Sequence, residues 1–139
     1  SRRLDERLNN QPGLLCIAGV ARDMLEILKA KGSGNQRAKL AFDIFVHRLR
    51  SGVGSMVAVL GGLDALIFTA GIGENSEAVR QAACAGFGYL NLKLDPVRNN
   101  QSPVDQDIAA GDSAVRVLVI HAQEDWAIAR ECWRMYSKS

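Results

Sequence analysis

The sequence predicts an α/β fold, and three stretches carry that reading. Residues 64–76, Asp64-Ala65-Leu66-Ile67-Phe68-Thr69-Ala70-Gly71-Ile72-Gly73-Glu74-Asn75-Ser76, pass from a short apolar run into two glycines and then into a helix start. Residues 115–120 place Val115, Val117 and Val119 around Leu118 and Ile120 and lead straight into a helical pattern. Residues 35–60 hold the longest helical signal in the chain. Buried strands that break into helices through short loops belong to α/β architectures.

The elements follow in order. Residues 3–9 read as a short helix that stops before the turn formers Asn9-Asn10-Gln11-Pro12-Gly13. Leu14, Leu15, Ile17 and Val20 make an apolar patch leading to residues 23–31, where Met24, Leu25 and Leu28 sit at helical spacing, and Gly32-Ser33-Gly34 ends that element. Within residues 35–60, Phe42, Phe45, Leu49, Val53, Met56, Val57 and Leu60 recur at three- and four-residue steps, which predicts one amphipathic helix about 39 Å long. Gly52 and Gly54 each cost about 1 kcal/mol against Ala inside a helix, so close backbone packing or a break is expected there.

The unbroken run Leu66-Ile67-Phe68 suits a strand covered on both faces. Gly71 and Gly73 are expected to form a turn, with positive φ available and no Cβ to keep a ligand from the backbone. Ser76, or Asn75 before it, is expected to cap a helix over residues 77–85. Residues 89–94 alternate Leu90, Leu92 and Leu94 with Asn91 and Lys93 and predict a half-buried strand; residues 95–107, with Pro96 and Pro103, predict a surface loop. Residues 115–120 predict a strand buried on both faces, and residues 123–136 a last helix with a broad apolar face including Trp126, Ile128, Cys132 and Trp133.

Composition narrows the function classes. The 139 residues suffice for one domain and leave no room for two ordinary ones. At 47% hydrophobic and 23% charged the chain reads as ordinary globular protein. A net charge of +2 is too small to imply nucleic acid, and Asp5 and Glu6 interrupt the basic start at Arg2, Arg3 and Arg7. Cys16, Cys84 and Cys132 show no CxxC or Cys/His ligand spacing, which favours a reducing cytoplasm over a disulfide framework or zinc site. No signal peptide and no apolar run near the roughly 20 residues of a membrane span is present. The chain starts on Ser1 rather than Met, so a piece of a longer protein is among the expectations.

A strand ending in a glycine turn presents backbone N–H groups at a helix N-terminus, where nucleotides and other anions are held. Read locally, residues 64–76 are either such a ligand loop or a tight turn without a ligand. A dinucleotide-binding unit is one candidate, with Asp95 near the distance for a ribose contact. Against it, Ser76 stands where a third glycine belongs and Glu74 puts a carboxylate beside the pyrophosphate position. A Walker loop is excluded because no lysine follows the glycines. His47, among Arg48, Arg50 and polar helix positions, reads as a surface histidine rather than a catalytic one.

Taken whole, residues 64–76 with Val79-Arg80 behind them resemble the adenosine-binding signature of the acetate kinase family, with its propionate and butyrate kinase relatives. Further segments fall in the family's order and spacing: Gly19-Val20-x-x-Asp23-Met24, residues 39–50, Leu92-Lys93-Leu94-Asp95, residues 115–120 leading to Glu124, and Ala127-Ile128-Ala129-Arg130. The resemblance covers nearly the whole chain. It implies that residues 1–139 are the C-terminal portion of the family's nucleotide-binding C-terminal domain, with residues 1–34 a leading helical segment and residues 35–139 an α-β-α-β-α core. The fold implied is part of an actin/hexokinase-like (ribonuclease H-like) domain, a mixed sheet flanked by helices with a long central helix. Strands that open such a domain lie upstream in the family, so an unpaired sheet edge and exposed apolar faces are expected.

The resemblance also assigns sites. Gly71, Ile72, Gly73 and Asn75 would hold the adenosine of ATP or ADP, Asp23 and Met24 would line the same pocket, and Glu124 is matched to a glutamate linked to Mg²⁺. Read locally, Asp23 is also a helix cap, Met24 a core side chain, and Glu124 with Asp125 an acidic pair at the positive end of a helix. Departures from the family pattern are Leu25 in place of an arginine beside the nucleotide, Cys16, Ala18, Ala21 and Arg22 in place of small or hydroxyl residues, and His121-Ala122-Gln123 in place of Pro-Thr-Asn. The activity implied is reversible transfer of the ATP γ-phosphoryl group to acetate, or to propionate or butyrate, in a cytoplasmic homodimer. No residue of this chain matches the family's catalytic cations, so the chain alone is expected to be inactive; a non-catalytic nucleotide- or dinucleotide-binding or structural module is the alternative.

Overall fold

The computed structural model describes residues 17–19 and 23–137. The helix expected over residues 3–9, the turn at 9–13, and Leu14, Leu15, Cys16, Val20, Ala21 and Arg22 lie outside the described residues.

Helix α1 (Met24–Gly32) begins where the Asp23 carboxylate accepts from the Leu25 N–H at 3.3 Å, and it buries Met24 and Ile27. Helix α2 (Gln36–Leu60) begins in the same way, with Asn35 Oδ1 accepting from the N–H groups of Arg37 and Ala38 at 3.0 Å each. It buries Ala38, Ala41, Phe42, Val46 and Val57 and ends at Gly61, whose φ of 74° lets its N–H reach the Val57 carbonyl. The predicted long helix is therefore present. It runs unbroken through Gly52 and Gly54, and a Cβ added at either would meet nothing within 4 Å, so neither the break nor the close packing occurs among the described residues. A buried face along 25 residues outweighs the propensity loss at two exposed or half-exposed positions. His47 is exposed, as predicted.

Three short strands, β1 (Ala65–Phe68), β2 (Gln106–Asp107) and β3 (Arg116–Val119), form one mixed sheet in the order β1-β3-β2. β1 runs parallel to β3 with Leu66 opposite Val117 and Phe68 opposite Val119; β2 is antiparallel to β3. The face carrying Leu66, Phe68, Val117 and Val119 packs into the core, whereas on the other face Ile67 and Arg116 are exposed. Double burial, predicted for both strands, is thus not observed: among the described residues only one face of the sheet is covered. The outer edge of β1 also has no strand partner among them, the open edge that the resemblance implied.

Between β1 and β3 the chain forms α3 (Ala70–Asn75), α4 (Glu77–Cys84), a 3₁₀ helix (Ala85–Leu90) and α5 (Pro96–Asn100). The strand expected at residues 89–94 is absent. Asn91 takes a left-handed φ of 56°, its N–H bonds the Gly88 carbonyl at 2.9 Å, and only Leu94 forms a bridge, to Ala109. Leu92 is buried and Leu90 and Leu94 pack against the core, so the alternation reported burial, not extended backbone. The loop expected at residues 95–107 contains α5 and β2. Asp95 accepts from the N–H groups of Val97 and Arg98 at 2.9 and 3.1 Å with Pro96 in the first turn. Asp95 is thus the cap of α5.

The last helix, α6 (Glu124–Tyr136), buries no residue, and Trp126, Ile128, Trp133 and Met135 are all exposed. Among the described residues, two apolar clusters hold the rest together. One gathers the sheet, the end of α4 and the 3₁₀ helix; the other gathers α1, the first half of α2 and Val79 of α4. Leu49 of α2 packs against both. Cys84 is buried and its thiol is pushed up to about 12 by desolvation, which makes it a packing residue. No helix among the described residues is long and apolar enough to cross a membrane.

Candidate functional site

Because β1 and β3 are parallel, the segments leaving their carboxyl ends emerge side by side, and the Ile120 N–H donates to the Phe68 carbonyl at 2.9 Å. A crevice outside the carboxyl ends of strands is where open α/β sheets bind ligands.

The glycine segment is not a turn but the short helix α3. The left-handed residue is Ala70, with φ 59°, while Gly71 and Gly73 lie within the helix without positive φ. Sequence reading put the positive φ on the glycines because they adopt it at least cost; here the reversal comes one residue earlier. Gly73 is favoured for a different reason, since a Cβ there would stand 3.3 Å from the Phe68 carbonyl carbon. Nothing lies within 4 Å of a Cβ at Gly71. Ser76 caps α4, its Oγ accepting from the Val79 N–H at 3.3 Å; Asn75 instead closes α3, its Nδ2 donating to the Gly71 carbonyl at 2.8 Å.

A cavity of about 330 Å³ opens between α1 and α3, with Asp23, Met24, Leu25 and Leu28 on one wall and Gly71, Ile72, Asn75 and Ser76 on the other. Five of the six residues matched to an adenosine pocket, Asp23, Met24, Gly71, Ile72 and Asn75, line it; Gly73 stands behind against Phe68. Asp23 is at the same time the cap of α1, and Met24 is buried. Leu25 is exposed and gives this wall an apolar surface. A second, wider cavity of about 590 Å³ shares Gly71 and is lined by Ala70, Glu74 and the residues from His121 to Trp126, Glu124 included.

Two residues fix the segments around these cavities. Glu74 Oε1 accepts from the Ala122 N–H at 2.9 Å and its Oε2 lies 2.7 Å from His121 Nδ1. The Ala122 N–H and the His121 ring hold the Glu74 carboxyl below the usual carboxylate range, and donating its ring N–H to that carboxylate raises His121 above the ordinary histidine value. Arg80, almost fully buried, donates to the carbonyls of Gly73 and Glu74 at 2.8 and 2.7 Å, and so satisfies the C-terminal carbonyls of α3. Residues 74 and 121 are 47 apart in sequence, and no local pattern reveals their pairing. Arg80 was legible only as part of the motif; an arginine in a helix that buries Val79, Ala83 and Cys84 was the available signal.

Glu124 opens α6 and offers a hard oxygen to the wider cavity. No group of three or more His, Cys, Asp or Glu able to enclose a metal occurs among the described residues. That donor set fits Mg²⁺ in one respect, because the ion is commonly held by one or two carboxylates with water and phosphate oxygens completing its shell.

The family model for acetokinases matches residues 1–130. The chain belongs to the acetokinase family. It is 65% identical over 133 residues to the acetate kinase of Nostoc punctiforme, an alignment that covers 96% of this chain and 33% of that protein. It superposes on the acetate kinase of Entamoeba histolytica with a TM-score of 0.86 at 28% identity, covering 94% of this chain and 35% of that one. On a propionate kinase from Francisella tularensis the TM-score is 0.82 at 35% identity, over 94% of this chain and 33% of the other. The chain thus spans about a third of the length of the curated acetokinases it matches. Its mixed α/β sheet with flanking helices is part of the actin/hexokinase-like fold of those neighbours.

Proposed function

We propose that this chain forms the nucleotide-binding side of an acetate kinase-type phosphotransferase, which moves the γ-phosphoryl group of ATP reversibly to acetate, giving ADP and acetyl phosphate. The observation that carries the reading is the cavity in which Asp23, Met24, Gly71, Ile72 and Asn75 come together from segments some 50 residues apart. Ile72 and Leu25 offer apolar surface to a base, Asp23 and Asn75 offer polar edges, and Gly71 lets a ligand approach the backbone between the two cavities. Glu124 would hold Mg²⁺ directly or through water, and the ion would neutralise charge on the phosphates.

Phosphoryl transfer depends on positioning and on cations around the moving group. Among the described residues, neither cavity has lysine or arginine in its lining. We assign the catalytic cations, and the pocket for acetate, to the part of the enzyme represented by the other two-thirds of its relatives' length, and this chain to the C-terminal portion of the nucleotide-binding domain, with residues 1–34 leading into a core of residues 35–139. Propionate or butyrate as acceptor is the neighbouring reading, favoured by the likeness to a propionate kinase. We assign the intact enzyme to the cytoplasm as a homodimer, without nucleic-acid or membrane partners.

Calorimetry on the 139-residue chain with ADP and with NAD tests the reading. ADP is expected to bind more tightly; tighter NAD binding would overturn it in favour of a dinucleotide module. The same chain supplied with ATP, acetate and Mg²⁺ is expected to show no turnover, and turnover at the rate of a full-length kinase would refute the division of labour.

A further inference from the structure

Glu74 is held at both of its ends. Arg80 donates to its carbonyl, and its carboxylate takes the Ala122 N–H on one oxygen and faces His121 on the other. The His121 N–H in turn donates to Asp105 Oδ1 at 2.9 Å. The Glu74 side chain is 14% exposed whereas that of His121 is 56% exposed, so the carboxylate is anchored and the ring can exchange a proton with solvent. The contact joins α3, which carries Gly71, Ile72 and Asn75, to the segment that carries Glu124.

The charges around His121 give the contact a further consequence. In the wider cavity it faces Glu74, Glu124 and Asp125. On its other side lie Glu77 and Arg80, the latter engaged with two carbonyls and Asn99, and Asp105 receives its main-chain N–H. Among the described residues lining the wider cavity, His121 alone can carry positive charge. A phosphate tail entering from Gly71 would meet carboxylates, and a protonated His121 offsets one of them.

We propose that Glu74 and His121 form a proton-sensitive latch. With His121 protonated, the latch closes the residue 120–123 loop against α3 and sets one positive charge in the lining, which favours an anionic nucleotide; with His121 neutral, the nucleotide is held less well. Both are positioning residues, and the nucleotide part rests on the reading above. The window follows from the two groups. The Glu74 carboxylate, lowered from 4.5, is present above that value and is lost only as pH falls through its lowered pKa. The His121 charge, raised from 6.5, is fully present below that value and is lost as pH rises through its raised pKa. The charged latch is complete between these limits and opens on the alkaline side.

Nuclear magnetic resonance on the 139-residue chain tests this directly. The His121 ring should titrate above an ordinary histidine, and the backbone amides of Gly71, Ile72 and Glu124 should shift with the same midpoint. In Glu74→Gln the ring should fall back toward the ordinary value, and in His121→Asn, which removes no backbone contact, the amide shifts should lose that midpoint. With a chelator present, ADP should bind wild type roughly three- to tenfold more tightly at about pH 6 than at about pH 8, with a ratio near one in His121→Asn. Amides that ignore the His121 midpoint, with ADP affinity equal at both pH values, would overturn the latch while leaving the nucleotide reading intact. Coupled amides with no ADP binding at either pH would support the latch and overturn the nucleotide reading.

Discussion

Arg80 grips Asn99 from two nitrogens, Nε donating to Oδ1 at 2.7 Å and Nη2 to the main-chain oxygen at 2.9 Å. Asn99 passes the connection on, its Nδ2 donating to the Glu77 carbonyl at 3.1 Å. Both side chains are buried, and with the Arg80 bonds to Gly73 and Glu74 they tie α3, α4 and α5 into one knot beneath the glycine helix. Arg80→Ala would strand several acceptors at once and should lower stability by about 3–5 kcal/mol in urea unfolding. Arg80→Lys keeps the charge without the planar fork and should recover less than half of that loss. A loss under about 1 kcal/mol for Arg80→Ala would show that the knot is replaceable.

Gly71 and Gly73 both lie in α3 but have different surroundings. Gly73→Ala pushes a Cβ against the Phe68 backbone and should cost about 1–3 kcal/mol. Gly71→Ala meets open space, so the fold should hold to within about 1 kcal/mol, while the added methyl enters both cavities and should weaken ADP binding roughly tenfold. Thermal unfolding and calorimetry on the two variants separate these effects; equal stability losses would contradict the packing difference.

Ala70 carries the left-handed backbone, at φ 59°. For a residue with a Cβ that conformation is strained, and glycine avoids the strain at an entropic cost, so Ala70→Gly should raise stability by about 0.5–1 kcal/mol. A drop in melting temperature would mean that the strain is absent.

Leu25 stands exposed at the rim of the smaller cavity. Leu25→Arg supplies a cation able to stack on adenine and should tighten ADP binding roughly two- to fivefold. Unchanged affinity at low salt would place the base elsewhere.

What the sequence made legible was local. The α2 helix came within a residue of its predicted start because apolar periodicity and the Asn35 cap are written in neighbouring residues. β1 and β3 were legible as strands for the same reason, but not their one-sided burial, which depends on what the rest of the fold lays against them. Leu90, Leu92 and Leu94 misled because a 3₁₀ helix followed by a left-handed Asn91 can bury alternate residues as a strand does. The glycine segment was recognisable as a motif, and α1 and α3 bring most of its matched residues to one cavity. The pairing of Glu74 with His121 was not legible, because it depends on β1 and β3 lying parallel so that residues 47 apart become neighbours.

Helix α2 lines neither cavity, yet it sets the distance between the walls of the smaller one. Its first half carries α1, its second half lies against the sheet from which α3 springs, and Leu49 sits where the two clusters join. Because Leu49 packs into both clusters, the placing of this one helix decides how far Asp23 and Met24 stand from Ile72 and Asn75. Substitutions far from any ligand, on the underside of one long helix, would then be felt first as a change in how wide the cleft opens.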